Sequence, residues 1–227
     1  MPSMWILVVL AVVHLHDGHA SPMRLAGDEN PLMCGNLKPL TNISLPQFQG
    51  YWVLLSAFEF AEGIATPSAP EESEECNRYL YENATANGMD EYAEQSLPKH
   101  WLEPIEAFRS HLTVRDGDPG RWEFNSSKPT GPDESISVED ESAAPLDDML
   151  ILMADPKLYM VVASCPPRSV TIPQHQNFVR LVSILSRSEK PQEKSLVTGE
   201  KLLEIEEMVT RTLDFAPVPH VQQRTDC

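Results

Sequence analysis

An apolar run, YWVLLSAFEF, begins directly after Gly50 and has an indole, Trp52, at its second position. Glycine has no Cβ, so it lets a chain turn tightly from an entry segment into a strand. A tryptophan two residues later can plug the closed end of a small antiparallel barrel. The pair Gly50 and Trp52 therefore predicts the first strand of a closed barrel, with an aromatic plug beneath it.

The first 20 residues have the pattern of a secretory signal peptide. An apolar core runs over positions 5–13, and small residues, Gly18 and Ala20, stand before the expected cleavage site. No later stretch approaches the roughly 20 apolar residues of a membrane helix, so we expect no integral membrane association. We divide the rest into an N-terminal arm, 21–49, and a barrel with a C-terminal helix and tail, 50–227.

Charge and cysteine content narrow the possible partners and the compartment. The net charge is −17, which excludes nucleic acid and anionic lipid as natural partners. Four cysteines in a secreted chain predict two disulfides, for which three pairings are possible. Sequons place N-glycans at Asn42, Asn83 and Asn125, and we expect about two of the three to be used.

Short apolar or alternating runs predict strands along most of the chain. Asn87-Gly88 is a strong hairpin signal. Residues 61–75 and 126–146 are predicted to be loops. Residues 99–109 are predicted to be a long connection that can contain a helical turn. Residues 195–213 predict one amphipathic helix, with Ser195 as its N-cap and Leu196, Leu202, Ile205, Val209 and Leu213 on one face. The eight predicted strands are 51–60, 76–82, 89–97, 111–115, 121–125, 149–153, 157–164 and 178–185.

Specific stretches resemble the lipocalin family. PLMCGNLKPLTNISLPQFQGYWVLLSAF is similar to the N-terminus of the α1-acid glycoprotein (orosomucoid) branch, and 149–162 resembles its paired sixth and seventh strands. Arg187 stands where lipocalins place an arginine across the first-strand tryptophan, and Cys227 resembles an end-of-domain cysteine. The fish saxitoxin-, tetrodotoxin- and tributyltin-binding proteins are the relatives we expect to be nearest; the segment 61–148 carries little of the resemblance. The resemblance to lipocalins implies an all-β fold, namely an eight-stranded up-and-down antiparallel barrel with one C-terminal α-helix packed outside.

The disulfide pairing of that branch cannot be transferred, because its cysteine within the C-terminal helix is missing here. In an up-and-down barrel, the start of the second strand and the end of the seventh both lie at the open mouth, where Cys76 and Cys165 fall. Among the three possible pairings we therefore predict Cys76–Cys165 and, by elimination, Cys34–Cys227.

Catalytic motifs are missing from the sequence. It has no Gly-x-Ser-x-Gly elbow, phosphate loop, His-Glu-x-x-His or Cys-x-x-Cys. The histidines are scattered, and an even cysteine count argues against a free catalytic thiol. We expect no enzyme activity, no cofactor and no metal.

A cavity inside the barrel is then the expected functional site. If Trp52 points inward, the period of two places Leu54, Ser56 and Phe58 on the same face. Similar reasoning and the resemblance to the family's binding strands add two tyrosines of the second strand and two residues of the seventh. The predicted ligand-binding residues are Leu54, Ser56, Phe58, Tyr79, Tyr81, Tyr159 and Val161.

Two acidic loops add an electrostatic hypothesis. Residues 61–75 and 126–147 each carry a net charge of −5, and the predicted topology places both at the open end. A negative rim favours cationic amphiphiles, although acidic loops also simply keep a secreted protein soluble. We expect a monomeric, secreted carrier of a small lipophilic or cationic molecule; the alternative is an immunomodulatory or lipoprotein-associated lipocalin that acts through its surface.

Protein purified from its natural fluid should be heterogeneous in mass because of its glycans. Treatment with an N-glycosidase should collapse it toward about 23 kDa, the mass expected of the chain without its leader. Mass spectrometry before and after treatment measures this change. An unchanged mass would contradict glycosylation.

Overall fold

The computed structural model describes residues 30–61, 63–66, 76–96, 106–115, 117–129, 148–166, 177–190, 194–215 and 221–222. Strands dominate these residues, with one long helix near the end. In chain order the elements are a 3₁₀-helix Leu45–Phe48, β1 Gly50–Ala61, β2 Ile64–Thr66, β3 Cys76–Glu82, β4 Gly88–Ser96, β5 Glu106–Arg115, β6 Asp118–Pro129, β7 Asp148–Asp155, β8 Tyr159–Cys165, β9 Leu181–Ser188, α1 Gly199–Thr212 and β10 Val221–Gln222.

Eight strands close into an up-and-down antiparallel barrel, which confirms the predicted fold. β1 and β3 to β9 pair in chain order, and β1 pairs back with β9 to complete the ring. Two short strands extend the pairing of β1: β2 lies opposite its last residues, and β10 lies opposite Ser56 and Ala57. Closure satisfies the edge strands, which would otherwise expose unpaired backbone groups.

Two separate apolar clusters occupy the inside and the outside of the wall. We call the inner one the floor cluster, because it fills the end of the barrel where β1 begins; the other end is the mouth. The outer one, the helix cluster, lies between the wall and α1. The floor cluster comprises Leu45, Phe48, Trp52, Leu54, Tyr81, Met89, Leu112, Trp122, Ile151, Met160, Val162 and Leu185; the helix cluster includes Val53, Leu55, Phe58, Phe60, Leu150, Val161, Val182, Ile184, Leu202, Ile205, Val209 and Leu213.

Trp52 lies at the centre of the floor, as its position in the sequence predicts. Its indole is fully buried, and its Nε1 donates to the Phe48 carbonyl at 2.8 Å. The Arg187 guanidinium lies 5.1 Å from the centroid of the indole and donates to the carbonyls of Gln49 and Pro156. Gly50 adopts φ +116°, a conformation that favours glycine, and a Cβ there would come within 3.0 Å of the Arg187 side chain. The predicted contact between Arg187 and Trp52 is confirmed.

The helix forms close to its predicted place but with a different cap. Thr198, not Ser195, is the N-cap, and its hydroxyl accepts from the Lys201 amide. The Ser195 hydroxyl instead accepts from the Val197 amide in the turn before the helix. Leu196 therefore precedes the helix and is exposed, whereas the other four predicted face residues are buried against the barrel.

The strands depart furthest from the sequence prediction at three places. β2 forms within the predicted loop 61–75, β5 begins at Glu106 within the predicted connection, and β6 continues to Pro129 past the expected start of a loop. In each case the segment forms a strand because it pairs with a neighbouring strand, and local sequence propensity does not predict such pairing. The signal-peptide assignment, the first part of the arm and the loop predictions for 67–75, 99–105 and 130–146 lie outside the described residues.

The predicted disulfide pairing is wrong. Cys34 is bonded to Cys165, with their Cα atoms 6.0 Å apart. The reason lies in the arm, whose residue Met33 bridges to Phe178 just before β9, so that Cys34 reaches the end of β8. Cys76 is also disulfide-bonded, and Cys227 lies outside the described residues.

The contact between Trp52 and Arg187 predicts non-additive losses of stability. Trp52→Ala should cost about 3–5 kcal/mol as a large buried aromatic, and Arg187→Ala should cost less once the indole is gone, because the stacking partner is already lost. Chemical denaturation of both single variants and the double variant measures the coupling. Val209→Ala serves as the control, since Val209 belongs to the helix cluster outside the wall and its loss should add simply to that of Arg187→Ala. Additivity of Trp52→Ala and Arg187→Ala would contradict the contact.

Candidate ligand-binding site

Inside the barrel, the large side chains of the floor give way toward the mouth to a mixture of small and large ones. Residues directly opposite each other in neighbouring strands share a face, so the register shows which positions face the lumen. The lower level holds the floor cluster. The upper level holds the small residues Ala57, Ala93, Ser164 and Ser183 beside the larger Tyr79 and Leu181, all facing inward and all partly exposed. We call the region above the floor the cup: the floor cluster closes it below, and these partly exposed residues line it above.

One wall of the cup is lined by tyrosines. Tyr79 and Tyr81 share the inner face of β3, with rings 6.5 Å apart and within 8° of parallel. Tyr81 is buried against the floor and meets Trp122 edge-on at 6.0 Å. Tyr79 lies nearer the mouth and is only partly buried. The sequence prediction that these two tyrosines line the cavity agrees with their inward placement.

A carboxylate lies beside the tyrosines at the same level as Tyr81. Glu91 of β4 lies directly opposite Tyr81 on β3 and directly opposite Ser110 on β5. Only 4% of Glu91 is exposed. Its Oε2 atom has no hydrogen-bond partner among the described residues, and neither does the Tyr81 hydroxyl. The lumen thus holds a buried carboxylate with one oxygen atom to which no described residue donates a hydrogen bond of full geometry.

Burial raises the pKa of Glu91 to about 7, because the ionised carboxylate loses its hydration inside the barrel. The neighbouring Tyr81 hydroxyl lowers the pKa in part, although the two groups do not meet the full geometry of a hydrogen bond. Burial in turn raises the pKa of both tyrosines, and the nearby Glu91 charge raises them further. The carboxyl therefore titrates near neutral pH while its aromatic neighbours stay uncharged.

Sequence reasoning missed Glu91. The alternation of Met89, Glu91 and Ala93 against three outward residues carries the signal, since a strand with Met89 inside must also place Glu91 inside. Only the pairing with Tyr81 and Ser110 shows that this position is buried.

Two predicted ligand residues of β1 lie on the wrong face for that role. The register shifts between Leu54 and Ser56, where Leu55 is an extra residue in the strand, a β-bulge. Past the bulge, Ser56 and Phe58 face outward, and the Phe58 ring lies 5.4 Å from that of Phe215 after the helix. Leu54, before the bulge, does point inward, but as a buried part of the floor. The sequence prediction applies the period of two along the whole strand, and no sequence pattern indicates the bulge that interrupts it.

Tyr159 and Val161 also face outward. In β8 they lie opposite Ser186 and Ile184, on the surface that packs toward α1. The inward residues of β8 are Met160 and Val162, of the opposite parity. The sequence pattern of β8 is apolar on both faces, because one face meets the floor and the other the helix, so alternation could not identify the inner one.

The inward positions carry more negative than positive charge. Among inward residues whose side chains the structure describes, the acids are Glu91 and, near the mouth, Glu59. Arg187 shares the inner parity, but its guanidinium lies beneath the floor on the carbonyls that hold the plug. The acidic loop residues expected to form a rim, at 67–75 and 130–147, lie outside the described residues.

A shallow groove of about 200 Å³ lies on the outer wall, where β1, β3 and β4 meet. Arg78 and Glu94 face each other across it. Burial lowers the pKa of Arg78 to about 10, and the Glu94 charge opposes that shift. Glu94 is therefore an acid of the same strand as Glu91, on the opposite side of the wall.

Two further findings concern the described residues only. No group of three or more histidine, cysteine or acidic side chains there is placed to hold a metal ion. No helix there is long and apolar enough to cross a membrane.

The raised pKa of Glu91 makes the stability of the unliganded protein depend on pH. The folded state holds the Glu91 proton more tightly than the unfolded state, so this contribution is complete below the unfolded value near 4.5 and is lost as pH rises through about 7. Glu91→Gln should remove that loss and stabilise the protein by about 2–3 kcal/mol at pH 8 relative to its effect at pH 4.5. Urea denaturation at both pH values measures the difference, and an equal effect of the variant at both would contradict it.

No protein-family model matches the chain, and no curated protein matches it either. Solved structures with a similar fold include two lipocalin-family binding proteins. The siderocalin Ex-FABP, described as functioning through dual ligand specificities, has a TM-score of 0.47 at 10% identity over 78% of this chain and 93% of that chain. A biogenic amine-binding protein, solved as a selenomethionine derivative, has a TM-score of 0.44 at 14% identity over 80% of each chain. At these identities and TM-scores neither protein's ligand is assigned to this chain.

Proposed function

We propose that this chain is a secreted, glycosylated lipocalin that carries a small lipophilic or cationic amphiphilic molecule in its barrel and performs no catalysis. The observation that carries the proposal is the cup: an aromatic and aliphatic floor beneath an upper level of mostly small, partly exposed inward residues. Such a concave, mostly apolar space with a few polar groups is the usual form of a small-molecule site.

The energetics favour an apolar ligand body. Transfer of apolar surface from water onto the floor contributes roughly 25 cal/mol per Å² buried. The side chains at the bottom are already fully packed against one another, so the floor does not collapse to fill the space above it. A ligand with an apolar body and one polar group would therefore rest its body on the floor or the small-residue wall and place its polar group near Tyr79, Tyr81 or Glu91.

Secretion and glycosylation are supported by separate features. The leader pattern and the Cys34–Cys165 bond fit an oxidising compartment. Asn42 and Asn83 are both exposed, and both lie near the floor end of the barrel, just before the 3₁₀-helix and in the turn between β3 and β4. Glycans at these positions would leave the mouth clear for a ligand.

A neutral lipophilic probe tests whether the lumen binds small molecules at all. N-phenyl-1-naphthylamine should increase its fluorescence saturably when it enters the cup. Ala93→Trp, which fills the upper level, should weaken the probe at least tenfold, because the added ring occupies the space that the ligand needs. Fluorescence titration measures both affinities.

The neighbouring outward residue of the same strand offers a matched control. Tyr92→Trp changes the outer surface of β4 only and should leave probe binding as in the unaltered protein. Thermal unfolding of each variant checks that it is folded. Absence of saturable binding to the unaltered protein, or equal binding by Ala93→Trp, would contradict the lumen as the site and favour a function exerted through the surface.

A further inference from the structure

We propose that Glu91 is the anionic centre of an ammonium-binding subsite inside the barrel, so that the preferred ligand is a small organic cation with a protonated amine on an aromatic or apolar body. This inference rests on the proposed function, because it requires a lumen that admits small molecules. It differs from the rim hypothesis in placing the recognising charge within the cup rather than at its mouth.

The position of Glu91 makes it reachable from the mouth. It lies one inward position above Met89, which belongs to the floor, and one below Ala93, a small residue that is partly exposed. Across the strand pair from Ala93 lies Tyr79, also partly exposed. Solvent therefore reaches Ala93 and Tyr79, the residues directly above Glu91, and a ligand group that enters between them would approach the carboxylate.

The unused acceptor atoms match the donors of an ammonium group. Glu91 Oε2 and the Tyr81 hydroxyl have no hydrogen-bond partner among the described residues. Ser110, which also carries a hydroxyl, lies on the other side of Glu91 in the register. A primary ammonium has three N–H donors and no acceptor, so it suits a group of oxygen atoms arranged around one carboxylate.

Charge balance points in the same direction. A buried carboxylate without a counterion is costly, and the described inward residues provide no cation at the level of Glu91, since the Arg187 guanidinium lies beneath the floor. A cationic ligand would provide the missing counterion. A neutral lipophile would fill the same space but leave that cost unchanged.

The two tyrosines supply the second element of cation recognition. Their nearly parallel rings lie along the same wall as the carboxylate, with Tyr79 toward the mouth. An ammonium approaching Glu91 passes the Tyr79 ring, and cation–π attraction strengthens when the ion is desolvated. An aromatic ligand body can then pack against the same ring while its amine reaches Glu91.

Acid should release such a ligand, because a proton and the ammonium compete for the same carboxylate. The groups that face Glu91 are Tyr79 and Tyr81 from β3 and Ser110 from β5; on β4 itself the inward neighbours, Met89 and Ala93, do not titrate. Burial raises the pKa of both tyrosines, so they remain neutral up to high pH. Among the described residues at this level, Glu91 is thus the group that changes charge between pH 5.5 and 8.

Isothermal titration of a matched ligand pair tests the proposal. The probes are 1-naphthylmethylamine, which stays protonated below pH 8 like other alkylamines, and its neutral isostere 1-naphthalenemethanol. At pH 8 the amine should bind at least tenfold more tightly than the alcohol, and at pH 5.5 this preference should largely disappear. Because Glu91 is buried, the preference should change little between low and physiological salt, unlike one produced by exposed rim charges.

Variants separate the subsite from other acids. Glu91→Gln should abolish the preference for the amine while leaving the alcohol and N-phenyl-1-naphthylamine bound. Glu94→Gln, on the outer face of the same strand, should keep the preference. A variant with glutamine at Glu71, Glu72, Glu74 and Glu75 should also keep it, and loss of the preference there, with retention in Glu91→Gln, would assign the cation to the rim and overturn the proposal.

The outcomes distinguish this inference from the function it rests on. Saturable binding of N-phenyl-1-naphthylamine, together with equal affinity for the amine and the alcohol, would overturn the ammonium subsite alone. Failure of all three probes to bind would overturn the carrier function as well. If Glu91→Gln does not fold, the pH and salt dependence of the unaltered protein decides: a preference that is flat with pH but falls with salt contradicts Glu91.

Discussion

The burial of one indole organises the closed end of this protein. Trp52 is held from above by the floor side chains, from the side by its hydrogen bond to the Phe48 carbonyl, and from below by the Arg187 guanidinium. Arg187 in turn binds the carbonyls at the start of β1 and in the turn between β7 and β8. The arm, the first strand and two distant strands are thereby fixed around a single side chain.

A single extra residue gives β1 two functions. Before Leu55, the inward side chains of β1 are large and belong to the floor. After Leu55, Phe58 and Phe60 point outward and both rings contact Phe215, whereas Ala57 points inward. The bulge thus places the large side chains of upper β1 in the helix cluster instead of in the lumen. Both results follow from one local shift in register, since side chains alternate strictly on either side of it. Past the bulge, β1 therefore faces the cup with Ala57 and, near the mouth, with Glu59.

Glu91 differs from most of the surrounding interior, whose side chains have an evident role in stabilising the fold. Apolar residues fill the floor, and the buried Trp52 and Trp122 indole nitrogens each find a carbonyl. A carboxylate placed between Tyr81 and Ser110, with an oxygen that no described residue uses, lowers the stability of the unliganded fold at neutral pH. Departures of this kind from a locally consistent interior are where binding sites are expected.

Much of the architecture followed from residues 50–60, the alternating runs and the late amphipathic stretch. Gly50, Trp52, the strand order and the helix face depend on local backbone freedom and on periodicity, which a sequence displays directly. The inner or outer placement of Ser56, Phe58, Tyr159 and Val161, the partner of Cys34 and the surroundings of Glu91 were decided only by the tertiary structure. Each depends on register across neighbouring strands or on the path of the arm, and a one-residue shift reverses every face beyond it. Sequence determined which segments form the barrel; strand pairing decided which side chains its lumen contains.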